Sequence, residues 1–340
     1  MHNDNLLNLI IEKLQLKKES LNEVKSIIDS YEKLIETDFN GSDYSKLIST
    51  REYTSGFKHR LLFEYSKPIQ DMEIFIEHCK GIAETTAKKL ESDKSKKAEI
   101  LLRLQQKSTL LASEIVYLIK GGYPSAAISR WRSILEVSVV TSFLALHEEE
   151  ISIRYFEYEI VERKKEMEVY IRNADYLGFE KIPESTQEKI NNKYNKIIEK
   201  YGKSFSKNFG WSHSILSKDR ISLNDLMEKT NSHYLQPFYQ FANNYVHGGP
   251  KSLIYNLGYI DGVSGKNTIS GSSNIGFTDP GQLTALCYYN VVFSVFSFNP
   301  SIEGILSLLF LYPKITKIGK NFSDVEKSII DREAQSDFPD

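Results

Sequence analysis

Apolar residues at the start of the chain recur in alternating steps of three and four. Leu7, Ile10, Leu14, Lys17, Leu21, Val24, Ile28, Tyr31 and Ile35 form one seam, in which Lys17 alone is charged. Such a heptad seam predicts a helix that packs against a second helix, with the lysine fixing register at some cost in stability. The partner is either the segment Pro68 to Leu90 of the same chain or the same helix of a second chain. Turn formers at Phe39-Asn-Gly-Ser-Asp43 end the seam. Helical spacing resumes from Pro68 to Leu90, with Ile69, Met72, Ile76, Cys79 and Ala83 on one side. The charged link Glu91 to Lys97 then suggests a boundary. It separates an N-terminal helical, coiled-coil region (1–92) from a helical bundle domain (98–335).

In that domain, Leu101, Leu104, Leu111 and Ile115 mark a core-facing stripe on a helix from Ala98 to Lys120, and Gly121-Gly-Tyr-Pro124 reads as a tight turn. The next helix, Ser125 to His147, is apolar on nearly all sides, which predicts a central position in a bundle. Ile151 to Tyr176 is dense in charges of both signs and reads as one long helix with a solvated face. Ser222 with Asp225, and Ser323 with Glu326, have the spacing of capping boxes. The stretch 253–279 changes character. An apolar run followed by scattered glycines predicts a small β-hairpin or irregular insertion. Apolar helices from Gly281 to Phe298 and Ser301 to Tyr312 close the core. The fold class expected is all-α, mainly a helical bundle.

Composition narrows the picture. Forty-three basic and 45 acidic residues give a net charge of −2, so there is no global positive field to attract nucleic acid, and binding of RNA would need a local patch. Aromatic residues make up 12% of the chain, which argues against disorder. The two cysteines, Cys79 and Cys287, read as reduced core thiols of a cytoplasmic protein. The apolar stretch from Leu283 to Leu311 is broken by Asn299-Pro300, and each piece falls short of the roughly 20 residues that span a bilayer. No membrane partner and no signal peptide are expected.

No phosphate loop, dinucleotide fingerprint, zinc-ligand spacing or nucleophile elbow is present, so no cofactor and no metal are expected. What remains is a constellation on two helices. Arg130, Arg132 and Glu136 stand on an otherwise apolar helix, where charges need partners or a cleft, and Arg132 and Glu136 are one turn apart. Tyr239, Asn243, Asn244 and His247 lie on a second helix that starts at Pro237 and stops at Gly248-Gly249. This spacing puts His247 in the last helical turn, where the helix dipole favours the imidazolium. If Glu136 satisfies one arginine, the other is left for a substrate. Trp211, in the basic, aromatic loop 202–220, is a candidate stacking surface as well as a loop anchor.

Gly122-Tyr-Pro-Ser-Ala-Ala127 with Arg132-Ser-Ile-Leu-Glu136, Gly210-Trp211, and Tyr239 to Asn243 with Val246-His247-Gly248 together resemble the uncharacterised bacterial family catalogued as domain of unknown function 5677. The resemblance spans roughly Ala98 to Tyr312 and implies an all-helical fold. It extends distantly to the HEPN class of helical bundles, many of which are RNA-cleaving toxins or phage-defence effectors. In that signature an arginine is followed by four to six residues and then the histidine, and the corresponding window Gln240 to Ala242 holds no arginine. The resemblance implies an effector in stress or anti-phage defence that cleaves RNA without a metal. His247 would serve as acid/base, Arg132 as phosphate clamp, and Asn243 and Tyr239 would orient the substrate. The alternative is a non-catalytic interaction or sensor module. Expected partners are RNA and, through the N-terminal helix, a second copy or another protein.

Overall fold

A computed structural model describes residues 42–90, 94–247, 249–251, 257–258 and 271–336. The heptad seam of residues 7–35 lies outside the described residues. The chain divides into two units, Met1–Arg60 and Leu61–Asp340. Within the first, the described residues belong to helix α1 (Ser42–Glu64) and are mostly exposed from Tyr44 to Arg60.

The second unit is built from α2 (Ser66–Leu90), α3 (Lys96–Gly121), α4 (Pro124–Leu146), α5 (Glu149–Glu157), α6 (Glu159–Leu177), α7 (Glu184–Tyr201), α8 (His213–Leu216), α9 (Leu223–Lys229), α10 (Gln236–Val246), α11 (Thr278–Phe296) and α12 (Ile302–Ser336). Helix α4 is the centre. It packs on α3, α11, α10 and α9, which is why it is apolar nearly all round. Trp131, Ile134, Leu135, Phe143 and Leu144 are fully buried along it. Helices α2, α11 and α12 close the other side of the core, while α6 and α7 pair beside it. Helix α7 buries no residue completely, so it rests on the bundle as an outer layer.

Local chemistry explains several joints. The α3–α4 turn is reversed by Gly122, whose φ of 84° lies in the left-handed region that a Cβ disfavours. Its N–H and that of Tyr123 donate to the carbonyls of Ile119 and Leu118, satisfying the open end of α3. Pro124 starts α4 where no N–H is required. Ser222 and Asp225 form the expected capping box at α9. Cys79 and Cys287 are free and buried, and burial pushes each thiol up to about 12.

The apolar side of α2 (Ile69, Met72, Ile76, Cys79) is buried against α3, α11 and α12, and the expected boundary at 92 lies outside the described residues. Three expectations need correction. The long charged helix is broken at Tyr158, whose ring is buried and whose hydroxyl donates to Lys207 O at 2.8 Å. The second capping-box pattern caps no helix of its own. Residues 302–336 form one continuous helix, and Glu326 reaches across to accept hydrogen bonds from the N–H groups of Phe277 and Thr278. It thereby caps α11 from outside. The third correction concerns 253–279. Within it, residues 257–258 and 271–277 hold turns and bends before α11 begins, and no strand occurs among the described residues, so the β-hairpin is not supported. No helix among the described residues is long and apolar enough to cross a membrane.

Candidate functional site

A polar cleft of about 1070 Å³ lies between α3, α4, the α5–α6 joint, α7 and the loop before α8. Helix α4 supplies one wall through Arg130, Ser133, Glu136, Val137 and Val140, a set with the spacing of a single helical face. Lys107 comes from α3, Glu159, Glu162 and Arg163 from α6, and Lys193 from α7. Tyr155, Phe156, Phe209 and Trp211 provide the rings.

The loop wall is anchored tightly. Trp211 is 2% exposed, with Phe143 and Tyr155 edge-on to it at 5.5 and 5.1 Å. Its carbonyl accepts a hydrogen bond from Arg154 Nε at 3.1 Å, and the Arg154 guanidinium lies over the rings of Tyr201 and Phe205. Gly210 is obligatory here, since a Cβ would stand 2.2 Å from the Phe205 carbonyl oxygen. That close approach is the physical content of the Gly210-Trp211 motif. Phe209, next to it, takes a left-handed φ of 52° in the cleft wall.

Charge in the cleft is unevenly matched. Arg130 pairs with Glu114 of α3, and Arg163 with Glu159 at 2.6 Å. Lys107 and Lys193 make no ion pair among the described residues. Burial raises the Glu136 carboxyl above the usual carboxylate range, and this outweighs the attraction of Arg132 and Lys107. Glu162 is raised as well, first by burial, then by its neighbours Glu166 and Glu159, with Lys165 and Lys107 opposing. Lys107 is therefore within electrostatic reach of both carboxyls. Two carboxyls that hold protons more readily than usual, beside unpaired cations, make an acid/base environment.

Beyond the cleft wall, α10 packs on α4. Arg132 Nη2 donates to the Tyr239 hydroxyl at 2.6 Å, and its guanidinium lies 4.7 Å from the centre of that ring. Glu136 Oε1 stands 3.5 Å from Arg132, a long contact for a salt bridge. Arg132 Nε and Asn243 Oδ1 are buried and have no hydrogen-bond partner.

Of the residues singled out from sequence, the structure gathers Arg130, Glu136 and Trp211 in the cleft, and Arg132, Glu136 and Tyr239 at the α4–α10 contact. Asn243 is half-buried on α10, as is Asn244. His247 stands apart. Helix α10 ends at Val246, one residue earlier than expected, and His247 is an exposed C-cap residue with extended backbone, its N–H donating to Asn243 O at 3.0 Å. No contact among the described residues joins it to Arg130 or Arg132. Nor is either arginine left unpaired as the sequence reading supposed, because Glu114 takes Arg130. Sequence reasoning missed Lys107, Glu162 and Lys193. The spacing of Glu159, Glu162 and Glu166 placed them on one helical face, but nothing local told that face from a solvated one. Among the described residues, no group of three or more His, Cys, Asp or Glu side chains could hold a metal ion.

Comparison with known proteins places the site in a family context. Residues 98–265 match the model of a family of unknown function, DUF5677. The match supports the resemblance drawn from the motifs, and it contains all eight residues singled out and the whole cleft. No curated protein and no solved structure gave a significant match.

Proposed function

We propose that the protein, with its DUF5677-like segment, binds RNA in the cleft between α3, α4, α6 and α7 and acts on it without a metal. One observation carries this reading: Lys107 and Lys193, which make no ion pair among the described residues, and Arg130 share a cleft with the rings of Phe156 and Phe209. Cations for phosphate and rings for bases are the two elements of single-strand recognition. Glu136 and Glu162 supply the chemistry in this reading. Cleavage through the 2′-hydroxyl needs a base to take its proton and an acid to protonate the departing 5′-oxygen. Of two carboxyls with raised proton affinity, the ionised one serves as base and the protonated one as acid, while Lys107 offsets charge on the phosphorane. His247 as acid/base rests on the HEPN resemblance, as does an effector role in stress or anti-phage defence.

The test is expression of wild type, Glu162→Gln and His247→Ala in bacteria, with growth and total RNA integrity as readouts. Retention of single-stranded RNA by the purified proteins is measured alongside. The cleft reading expects wild type and His247→Ala to cleave, and Glu162→Gln to bind RNA without cleaving it. Loss of cleavage in His247→Ala alone moves the chemistry to the end of α10. Absence of RNA binding in wild type rejects the reading. It favours instead a non-catalytic interaction module, the alternative supported by the contacts of Arg132 with Tyr239 and Glu136 inside the fold.

A further inference from the structure

Helix α12 changes character halfway. From Lys314 onward its outward positions are mostly polar or charged, among them Thr316, Lys317, Lys320, Asp324 and Lys327, with Ile330 an apolar exception, while Ile315, Ile318, Phe322 and Ile329 are buried. Its first half buries Leu308 and Leu311 in the same way, yet most outward positions there are apolar. Ile302, Ile305, Leu306, Leu309, Phe310 and Tyr312 are between 46 and 74% exposed. Between Glu303 and Lys314 there is no charged residue. The patch continues sideways. Tyr312 packs on Tyr289, which stacks on Phe293, itself 51% exposed, and Phe310 shares a pocket with Ile74. Beside the stripe, a groove of about 830 Å³ opens between α2 and α12.

We propose that this face is a self-association surface, on which the first halves of α12 from two copies pack antiparallel. The spacing 302, 305/306, 309, 312 is that of a helix seam with a partner helix. A contiguous apolar area on the order of several hundred Å² is of the size that marks an interaction site. It also approaches the roughly 800 Å² per partner of a stable interface. Charge selects the occupant and its direction. Glu303, at one end of the stripe, and Lys317, beyond the other, make no ion pair among the described residues. A two-fold axis at Leu309 sets Glu303 of one copy beside position 315 of the other, next to Lys314 and within a turn of Lys317. A parallel pair would instead set glutamate on glutamate and lysines on lysines. The stripe is thus complementary to itself in one orientation only, as an isologous interface requires. The surface lies C-terminal to the segment that matches the family model.

The experiment is sedimentation equilibrium of the full chain, with circular dichroism of each variant as a check on folding. Wild type is expected to be dimeric at micromolar concentration, and Leu309→Glu monomeric with an unchanged helical spectrum. Glu303→Lys should weaken the dimer at least tenfold. Adding Lys314→Glu and Lys317→Glu to it should restore association, because the reversed charges again face each other. Leu309→Cys should cross-link between copies under mild oxidation, whereas Lys327→Cys should not; the two native cysteines are buried. Three results would overturn the proposal: a wild type that stays monomeric, whether or not it co-sediments with anionic vesicles, a dimer that survives Leu309→Glu, or charge reversal without rescue.

Discussion

The cleft under α4 and the outer face of the first half of α12 are both open to water, and they treat charge in opposite ways. The cleft gathers seven charged side chains from four helices, two of them lysines that make no ion pair among the described residues. The α12 face holds none across ten residues and keeps its charges at the two ends. The first arrangement suits a small or flexible anionic ligand, whose phosphates replace the missing partners. The second suits a preformed protein surface, whose gain is desolvation and whose charges set register. The two surfaces should respond differently to backbone damage, to salt and to pH.

The largest effect is expected from Gly210→Ala. The added methyl would meet the Phe205 carbonyl oxygen at 2.2 Å, and backbone cannot yield as a side-chain end does. A loss of about 3 kcal/mol or more is expected in denaturant unfolding. RNA binding should fall with it, while the folded fraction keeps the mass of wild type. Unchanged stability would show that the loop wall is less tightly fixed than its contacts indicate. Salt gives the next separation. With Lys107, Arg130 and Lys193 on phosphate, raising salt from about 50 to 200 mM should weaken RNA binding roughly tenfold. Association through α12 should change far less, since its apolar contacts are not screened. Equal salt responses would mean that the cleft is not the RNA site or that the dimer is electrostatic.

A smaller effect concerns Glu136. Its carboxyl is raised in the folded state, so the fold holds a proton that the unfolded chain releases first. Stability therefore declines as pH rises from the ordinary carboxylate range through the raised value. Glu136→Gln should remove that decline and be slightly stabilising at neutral pH, by under about 1 kcal/mol because the side chain is half exposed and screened. An unaltered pH profile would remove Glu136 from the set of perturbed groups. The smallest effect is the coupling of Arg132 with Glu136. At 3.5 Å, and with the Glu136 side chain 46% exposed, a double-mutant cycle should give about 0.5 kcal/mol, the size of a surface pair. A coupling of several kcal/mol would place the pair in a truly buried setting.

Much of the fold was legible in the sequence. The apolar circumference of α4, the Gly122 and Pro124 punctuation and the Ser222–Asp225 box each act within a turn or two, and each appears as read. The candidate site was only half legible. Arg130, Glu136 and Trp211 do share a cleft, because arginine and glutamate on an apolar helix require an opening or a partner. Lys107, Glu162 and Lys193 were invisible, since charged helix faces look alike whether they line a cleft or meet bulk water. The position of His247 was misread by one residue. That residue is the difference between a side chain in the last turn and one outside the helix.

The sequence alone determined most of the helical segments and which side of each is buried, but not the break at Tyr158 or the continuity of 302–336. A helix repeats every 3.6 residues, and the gain from burying an apolar stripe is large enough to be written repeatedly along the chain. Only the tertiary structure decided which polar group meets which. Arg132 meets Tyr239 across 107 positions, and Glu326 caps α11 from 48 positions away. The outward face of α12 is apolar in its first half and mostly polar in its second, although both halves bury residues at the same helical spacing. Such pairings involve one or two bonds each, with energies near 1 kcal/mol, and leave no repeat in the sequence. They exist because close packing of the apolar faces fixes the helices and brings those particular side chains within reach.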